Sequence, residues 1–174
     1  DKVKNIGEFI FGFSLLFLGL AIMKDSVPNI QDSPQIQSII AKLSGHGFGS
    51  VLLFLGFGTV LTLILQSSSA TVALTLIALD LGWIQFDLAA AMVLGENIGT
   101  TITANLAAIV GNTEAKRAAL THTLFNVFGV IWALTLFRPF VSLVQWIVSL
   151  MNVDAATSLV YGISAFHTCF NLIN

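Results

Sequence analysis

The chain has 174 residues, 56% of them hydrophobic and 9% charged, with a formal net charge of −2 and a mean hydropathy of +0.91. A typical soluble domain carries about 25% charged residues and still exposes much of its area to water, so an ordinary soluble core is excluded. The mildly acidic balance excludes a basic nucleic-acid footprint, and the single Cys169 excludes an intramolecular disulfide framework.

The composition therefore predicts an all-α integral membrane protein. Residues 6–23 form the first apolar segment, interrupted only by Gly7, Glu8, Gly12, Ser14 and Gly19. About 20 apolar residues span a bilayer, so this segment reads as a transmembrane helix ended by Lys24, Asp25 and Pro28. No small-residue cleavage site follows it, as a signal peptide would need. A polar turn is expected over 29–34. Residues 35–44 place Ile36, Ile39, Ile40 and Leu43 at helical spacing, the pattern of an amphipathic helix lying at the interface.

Residues 48–82 read as a re-entrant hairpin with its tip at 66–69. Two apolar arms, each short for a crossing, meet at Gln66, Ser67, Ser68 and Ser69. Such a reversal is tolerated at membrane depth only where it is buried in protein or lines water. Trp83 suits the headgroup level. Residues 88–110 read as one helix broken at Gly95-Glu96-Asn97-Ile98-Gly99. Asn112 or Thr113 is the expected cap of the next helix, and Lys116-Arg117 favours the cytoplasmic side. Three further transmembrane helices are expected over 118–137, 140–151 and 155–173, the first ended by Arg138-Pro139. Beginning at Asp1 and stopping at Asn174 without a polar tail, the chain reads as a fragment. An internal echo links His122-Thr123-Leu124-Phe125-Asn126 to His167-Thr168-Cys169-Phe170-Asn171.

The two polar islands carry the chemistry. Ser67, Ser68 and Ser69 each offer a donor and two lone pairs, and Gln66 adds an amide. If the chain reverses there, the second arm starts with unpaired N–H groups and partial positive charge, which together bind anions. A neutral oxyanion cradle results, suited to phosphate-like anions that must bind and then leave. In the second island Gly95 and Gly99 permit unwound backbone. Asn97, Thr100, Thr101 and Thr103 supply hard oxygens of the kind an alkali cation accepts. Glu96 is the one acidic group in the islands, and an ionisable residue at this depth is a functional candidate.

Plainer readings stand beside these. The small residues from Ser68 to Thr71 could serve close helix packing, and Gly95 and Gly99 could be a helix-contact stripe. His122 and His167 fit hydrogen-bonded structural positions better than ligands. Cys169 fits a small core position, Trp132 and Trp146 fit packing or interfacial roles, and Asp80 and Asp87 fit solvated helix ends.

At Gln66-Ser67-Ser68-Ser69-Ala70-Thr71 and Gly95-Glu96-Asn97-Ile98-Gly99-Thr100-Thr101, supported by Ala118–Asn126, the sequence resembles the sodium–phosphate cotransporter family. These are the bacterial relatives of the type II renal and intestinal sodium/phosphate cotransporters. The resemblance implies one half of an inverted-repeat transporter, since only one Gln-Ser-Ser-Ser is present, and a half closest to the second repeat. It implies phosphate contacts from Gln66, Ser67, Ser68, Ser69, Asn97, Thr100 and Thr101. With the chemistry above, it points to sodium ligands among Ser69, Thr71, Glu96, Asn97, Gly99 and Thr100. Position 96 is often a small residue in that family and is glutamate here.

The expected function is sodium-coupled secondary transport of inorganic phosphate by alternating access, in the cell inner (plasma) membrane as a multi-pass protein. The alternatives are a channel or transporter for another small anion, or a non-transporting scaffold subunit. No enzyme activity is expected: metal-ligand spacing, Gly-x-Ser-x-Gly and Walker motifs are absent, and nothing in the sequence places Ser68 beside His122 as a nucleophile–base pair. Sodium is the expected coupling ion, with no other cofactor. The expected partners are phosphate, the lipid bilayer and a second repeat or second copy of the chain in a homodimer, with no nucleic acid.

Overall fold

In the computed structural model, residues 2–27 and 33–174 are described, and nearly all of them lie in eight helices. In chain order these are α1 (Lys2–Ser26), α2 (Pro34–Ser44), α3 (Phe48–Leu65), α4 (Ser68–Asp80), α5 (Phe86–Ala108), α6 (Thr113–Thr135), α7 (Phe137–Ser149) and α8 (Ala155–Ile173). The expected stop at Pro28 and residues 29–32 of the polar turn lie outside the described residues.

Three of the described helices, α1, α3 and α6, are long and apolar enough to cross a membrane. α3 meets this standard alone with its 18 residues, so the first arm of the hairpin is longer than a half-span. α4, with 13 residues, is the short arm. α5 and α8 have 23 and 19 residues but carry amides, hydroxyls and ionisable groups along their length.

The chain reverses between α3 and α4 in two residues. Gln66 adopts a left-handed conformation (φ 53°) and its N–H donates to the Thr62 carbonyl, closing α3. Ser67 is extended, and its Oγ accepts from the Ala70 N–H, capping α4. Thr62 Oγ1 then donates to Thr71 Oγ1 at 3.0 Å. In a continuous helix two residues nine apart would sit about 13.5 Å from each other along the axis, so the two arms are folded back side by side. Gly82 (φ 72°) ends the far side of α4.

α5 is the central helix, packed against α3, α4, α6 and α8, and it corrects the sequence reading. The helix runs unbroken from Phe86 to Ala108, through Gly95-Glu96-Asn97-Ile98-Gly99. The two glycines are a contact stripe. A Cβ on Gly95 would collide with the Leu55 carbonyl oxygen, and one on Gly99 would lie 2.7 Å from the Thr59 oxygen. From the other side, a Cβ on Gly58 of α3 would strike the Met92 carbonyl. Close approach of two backbones is what small residues provide in a bilayer. Thr59 Oγ1 seals the seam by donating to the Gly95 carbonyl at 2.9 Å.

α6 and α7 also depart from the expected boundaries, whereas α8 keeps them. Asn112 Oδ1 accepts from the Ala115 N–H at 2.8 Å, so α6 begins at Thr113 rather than 118. It ends at Thr135, and Arg138-Pro139 belongs to the first turn of α7, where a proline's missing N–H costs nothing. Asp154 caps α8 through the Thr157 N–H at 3.0 Å. The core combines the N-terminal half of α5, where Ala89, Ala90, Ala91, Val93 and Leu94 are fully buried, with Phe166 and Phe170 of α8. Trp132 of α6 and Phe140 of α7 complete that aromatic cluster, with ring centroids 4.7–5.8 Å apart. α1 buries no residue and is tied to α4 by an ion pair of 2.7 Å between Lys24 and Asp80.

Candidate functional site

A cavity of about 380 Å3 opens where α4, α5, α6 and α8 converge, lined by Ser68, Glu96, Asn97, Thr100, His122, Phe125, Asn126, His167, Asn171 and Asn174. It joins one residue of the serine island to three of the second island.

The hairpin turn decides which serine reaches it. Ser68 is the first residue of α4, where backbone N–H groups lack helical partners, and its hydroxyl makes no hydrogen bond among the described residues. Ser67 is occupied as the cap and shares a 3.2 Å contact with Ser69 Oγ. Gln66 occupies the turn itself and, like Ser69, is exposed. Thr71 is fully buried in a hydroxyl ladder between the two arms. It accepts from Thr62 and donates to the Ser67 carbonyl at 3.1 Å, while Thr75 donates to its carbonyl at 2.9 Å. Of the expected serine-island ligands, Ser68 alone lines the cavity.

The unbroken α5 sorts the second island by face. Glu96, Asn97 and Thr100 point into the cavity, at the i, i+1, i+4 spacing that shares a helical side. Gly99 faces α3 and its backbone is helical, so the exposed carbonyl that a sodium ligand at this position required is not formed. Thr101 is buried, donates to the Ile98 carbonyl at 2.8 Å, and borders a different, mostly apolar groove of about 550 Å3 between α5 and α6. There Asn105 bridges to α6 by donating to the Ala119 carbonyl and to Thr123 Oγ1.

Four hydrogen bonds set the donor balance of the cavity. Thr100 Oγ1 donates to the Glu96 carbonyl at 2.9 Å, and Asn97 Nδ2 to the Val93 carbonyl at 2.8 Å. Asn126 and Asn171 each donate to the carbonyl of the histidine one turn earlier, His122 at 2.9 Å and His167 at 2.8 Å. Each of the three amides keeps its oxygen and one further N–H, and Asn174 keeps its whole amide, so the cavity offers donors and acceptors alike. Glu96 is 2% exposed, its Oε2 has no partner, and its Oε1 lies 3.9 Å from His167 Nε2. Among the described residues no group of three or more His, Cys, Asp or Glu side chains could hold a metal ion. The oxygens of Glu96, Asn97 and Thr100 are nonetheless the hard ligands an alkali cation takes.

The sequence reading assigned His122 and His167 to structure. The cavity contains both, together with Asn126 and Asn171, so the two His-Thr-x-Phe-Asn segments both contribute to its lining. The repeated segment was the available signal, because each copy sets His and Asn at i and i+4 on one helical side. Ser68 and His122 also meet at this cavity.

The sequence profile of the Na+/Pi-cotransporter family matches residues 31–171. Among similar proteins, "Putative inorganic phosphate export protein YjbB" of Escherichia coli K12 is 30% identical over 173 residues, covering 99% of this chain and 30% of that protein. "Uncharacterized protein YqeW" of Bacillus subtilis is 29% identical over 171 residues, covering 98% of this chain and 52% of that one. Human "Sodium-dependent phosphate transport protein 2C" is 42% identical over 78 residues, covering 42% of this chain and 13% of that protein. The chain thus spans about a third to a half of the bacterial relatives it matches along its length. No solved structure matches it. With a profile match over most of its length, the chain belongs to the Na+/Pi-cotransporter family, a family of membrane transporters.

Proposed function

We propose that this chain forms one half of a sodium-coupled secondary transporter for inorganic phosphate, working by alternating access as a multi-pass protein of the inner membrane. The observation that carries the reading is the cavity itself. It sets the free Ser68 hydroxyl and the N-terminal end of α4 opposite the Glu96, Asn97 and Thr100 side of α5. An anion gains from the first wall and a sodium ion from the second, so each ion lowers the cost of binding the other.

The depth of the turn fits this use. α4 is 13 residues long, about 20 Å, and the Lys24–Asp80 pair ties its far end to the end of α1. A hydrocarbon core is about 30 Å thick, which leaves the Ser68 end inside it and gives the hairpin its re-entrant character. Names given to relatives point the same way, to phosphate export for the E. coli protein and to sodium-dependent phosphate transport for the human one. The other half of the site comes from a second repeat or a second copy of the chain in a homodimer. Phosphate contacts are assigned to Ser68, Asn97 and Thr100, and sodium contacts to Glu96, Asn97 and Thr100. Gln66, Ser67 and Ser69 at the tip face that second half.

Equilibrium binding of radiolabelled phosphate to the purified protein, in sodium and in potassium at equal ionic strength, tests the reading. Saturable binding that needs sodium is expected. Binding indifferent to sodium, or displaced better by sulfate than by phosphate, would overturn it in favour of another anion.

A further inference from the structure

We propose that the groove between α5 and α6 binds an acidic phospholipid, with one acyl chain lying in the groove and the headgroup phosphate held by Lys116. The proposal stands apart from the solute the chain carries, because this groove is not the polar cavity. It has a volume of about 550 Å3, and its walls are Ile102, Leu106, Ile109 and Leu120. The last three are exposed, so they face whatever surrounds the protein. From Ile109 inward to Thr101 the groove follows α5 for about 12 Å.

The inner end of the groove offers no donor to a dissolved anion. The Thr101 hydroxyl donates to the Ile98 carbonyl and the Thr123 hydroxyl to the Ala119 carbonyl. The Asn105 amide hydrogens are taken by the Thr101 and Ala119 carbonyls and by Thr123 Oγ1. An anion moved there would lose its water without compensation, whereas an acyl chain needs no partner.

The outer end is the reverse. Lys116 borders the groove from the first turn of α6 and makes no ion pair among the described residues. Its acidic neighbour Glu114 is held by Arg117 at 3.1 Å, which leaves the Lys116 ammonium as the unspent charge. The start of α6 adds partial positive charge of its own. Exposed Ile109 and Val110 run directly into the polar stretch from Gly111 to Glu114, so the edge of the hydrocarbon falls at this connection. Lys116-Arg117 favours the cytoplasmic side, the leaflet whose acidic lipids attract basic residues. Lys116 thus sits at headgroup level over a groove that descends into the hydrocarbon.

Native mass spectrometry of the purified protein, titrated with phosphatidylglycerol or phosphatidylcholine of identical acyl chains, tests the headgroup. The wild type is expected to prefer phosphatidylglycerol by about fivefold, and Lys116→Gln to lose that preference. Lys42→Gln makes the same change of charge on α2, away from the groove, and should keep it. Equal affinity for the two lipids, a preference that survives in Lys116→Gln, or one lost equally in Lys42→Gln overturns the proposal. Displacement of the lipid by inorganic phosphate would mark a free-anion site and overturn it as well. The chain is tested on the wild type in vesicles, with phosphatidylglycerol carrying a photoactivatable diazirine on its acyl chain. Labelling of Leu106, Ile109 or Leu120 is expected. Labels confined to other helices would mean that a second copy or another helix covers the groove, and would overturn the assignment.

Discussion

The two sides of α5 solve opposite problems with residues one position apart. Toward α3, Gly95 and Gly99 remove every side-chain atom so that two backbones touch. Toward α6 and α8, Glu96, Asn97 and Thr100 hold polar atoms apart around a cavity. The first side gains from dispersion and from the Thr59–Gly95 hydrogen bond, since lipid tails offer no hydrophobic drive between helices. The second forgoes packing for chemistry. A contact side tolerates no added atom, whereas a cavity side tolerates substitution and responds in ligand affinity.

Substitutions can break that contrast in order of effect. Gly95→Leu drives a side chain into the Leu55 carbonyl and is expected to cost about 3 kcal/mol, read as lost folded protein in detergent denaturation. Gly56→Ala, on the same α3 but with nothing within 4 Å of the new Cβ, is the control and should be neutral or slightly stabilising. On the cavity side, Ser68→Ala removes a hydroxyl that has no hydrogen bond among the described residues. Phosphate binding is expected to weaken by about 1.5–3 kcal/mol with the unfolding midpoint unchanged; an unchanged affinity would remove Ser68 from the site.

Thr71→Val tests the hinge between the two. It cuts the Thr62–Thr71 bond that holds the hairpin arms together. Interhelical bonds of this kind average about 0.6 kcal/mol, so a small loss of stability without direct loss of binding is expected. The smallest effect concerns Asp154, ahead of α8. Hydrogen bonds from the Thr157 hydroxyl and N–H hold its carboxyl below the ordinary value of 3.8. A lowered native value stabilises above the unfolded one, so this contribution is lost as pH falls from about 3.8 through the lower native value. Faster amide exchange at Thr157 in that window, abolished in Asp154→Asn, would confirm it.

The sequence revealed most where one residue decides the local outcome. Asn112 as a cap, a reversal within 66–69 and the apolar length of α1 were legible, because capping oxygens, turn chemistry and hydropathy act within a few residues; α3, which reads as short for a crossing, is long enough for one. The state of Gly95-Glu96-Asn97-Ile98-Gly99 was not. Unwinding and tight packing both call for glycine, and the choice was made by the Leu55 and Thr59 backbone some forty residues earlier. The cavity histidines were hidden for a similar reason. Each His-Thr-x-Phe-Asn segment looks structural alone, and only the approach of α6 and α8 to α5 turns the pair toward Glu96. Thr101 and Glu96 sit in one motif, yet five residues of helical rotation send them to separate openings.

The seam between α3 and α5 has a mechanical consequence. Two helices in backbone contact, interlocked by three glycines, cannot slide or tilt past each other without carbonyl oxygens colliding. They behave as one beam. α4, by contrast, is bounded at both ends by left-handed backbone, at Gln66 and Gly82, carries Ser68 at its start, and is joined to α3 by the Thr62–Thr71 hydrogen bond rather than by backbone contact through glycines. A displacement of Ser68 relative to Glu96 would therefore come from α4 and not from the α3–α5 pair, at the cost of the Thr62–Thr71 bond and of the packing of α4 on α5.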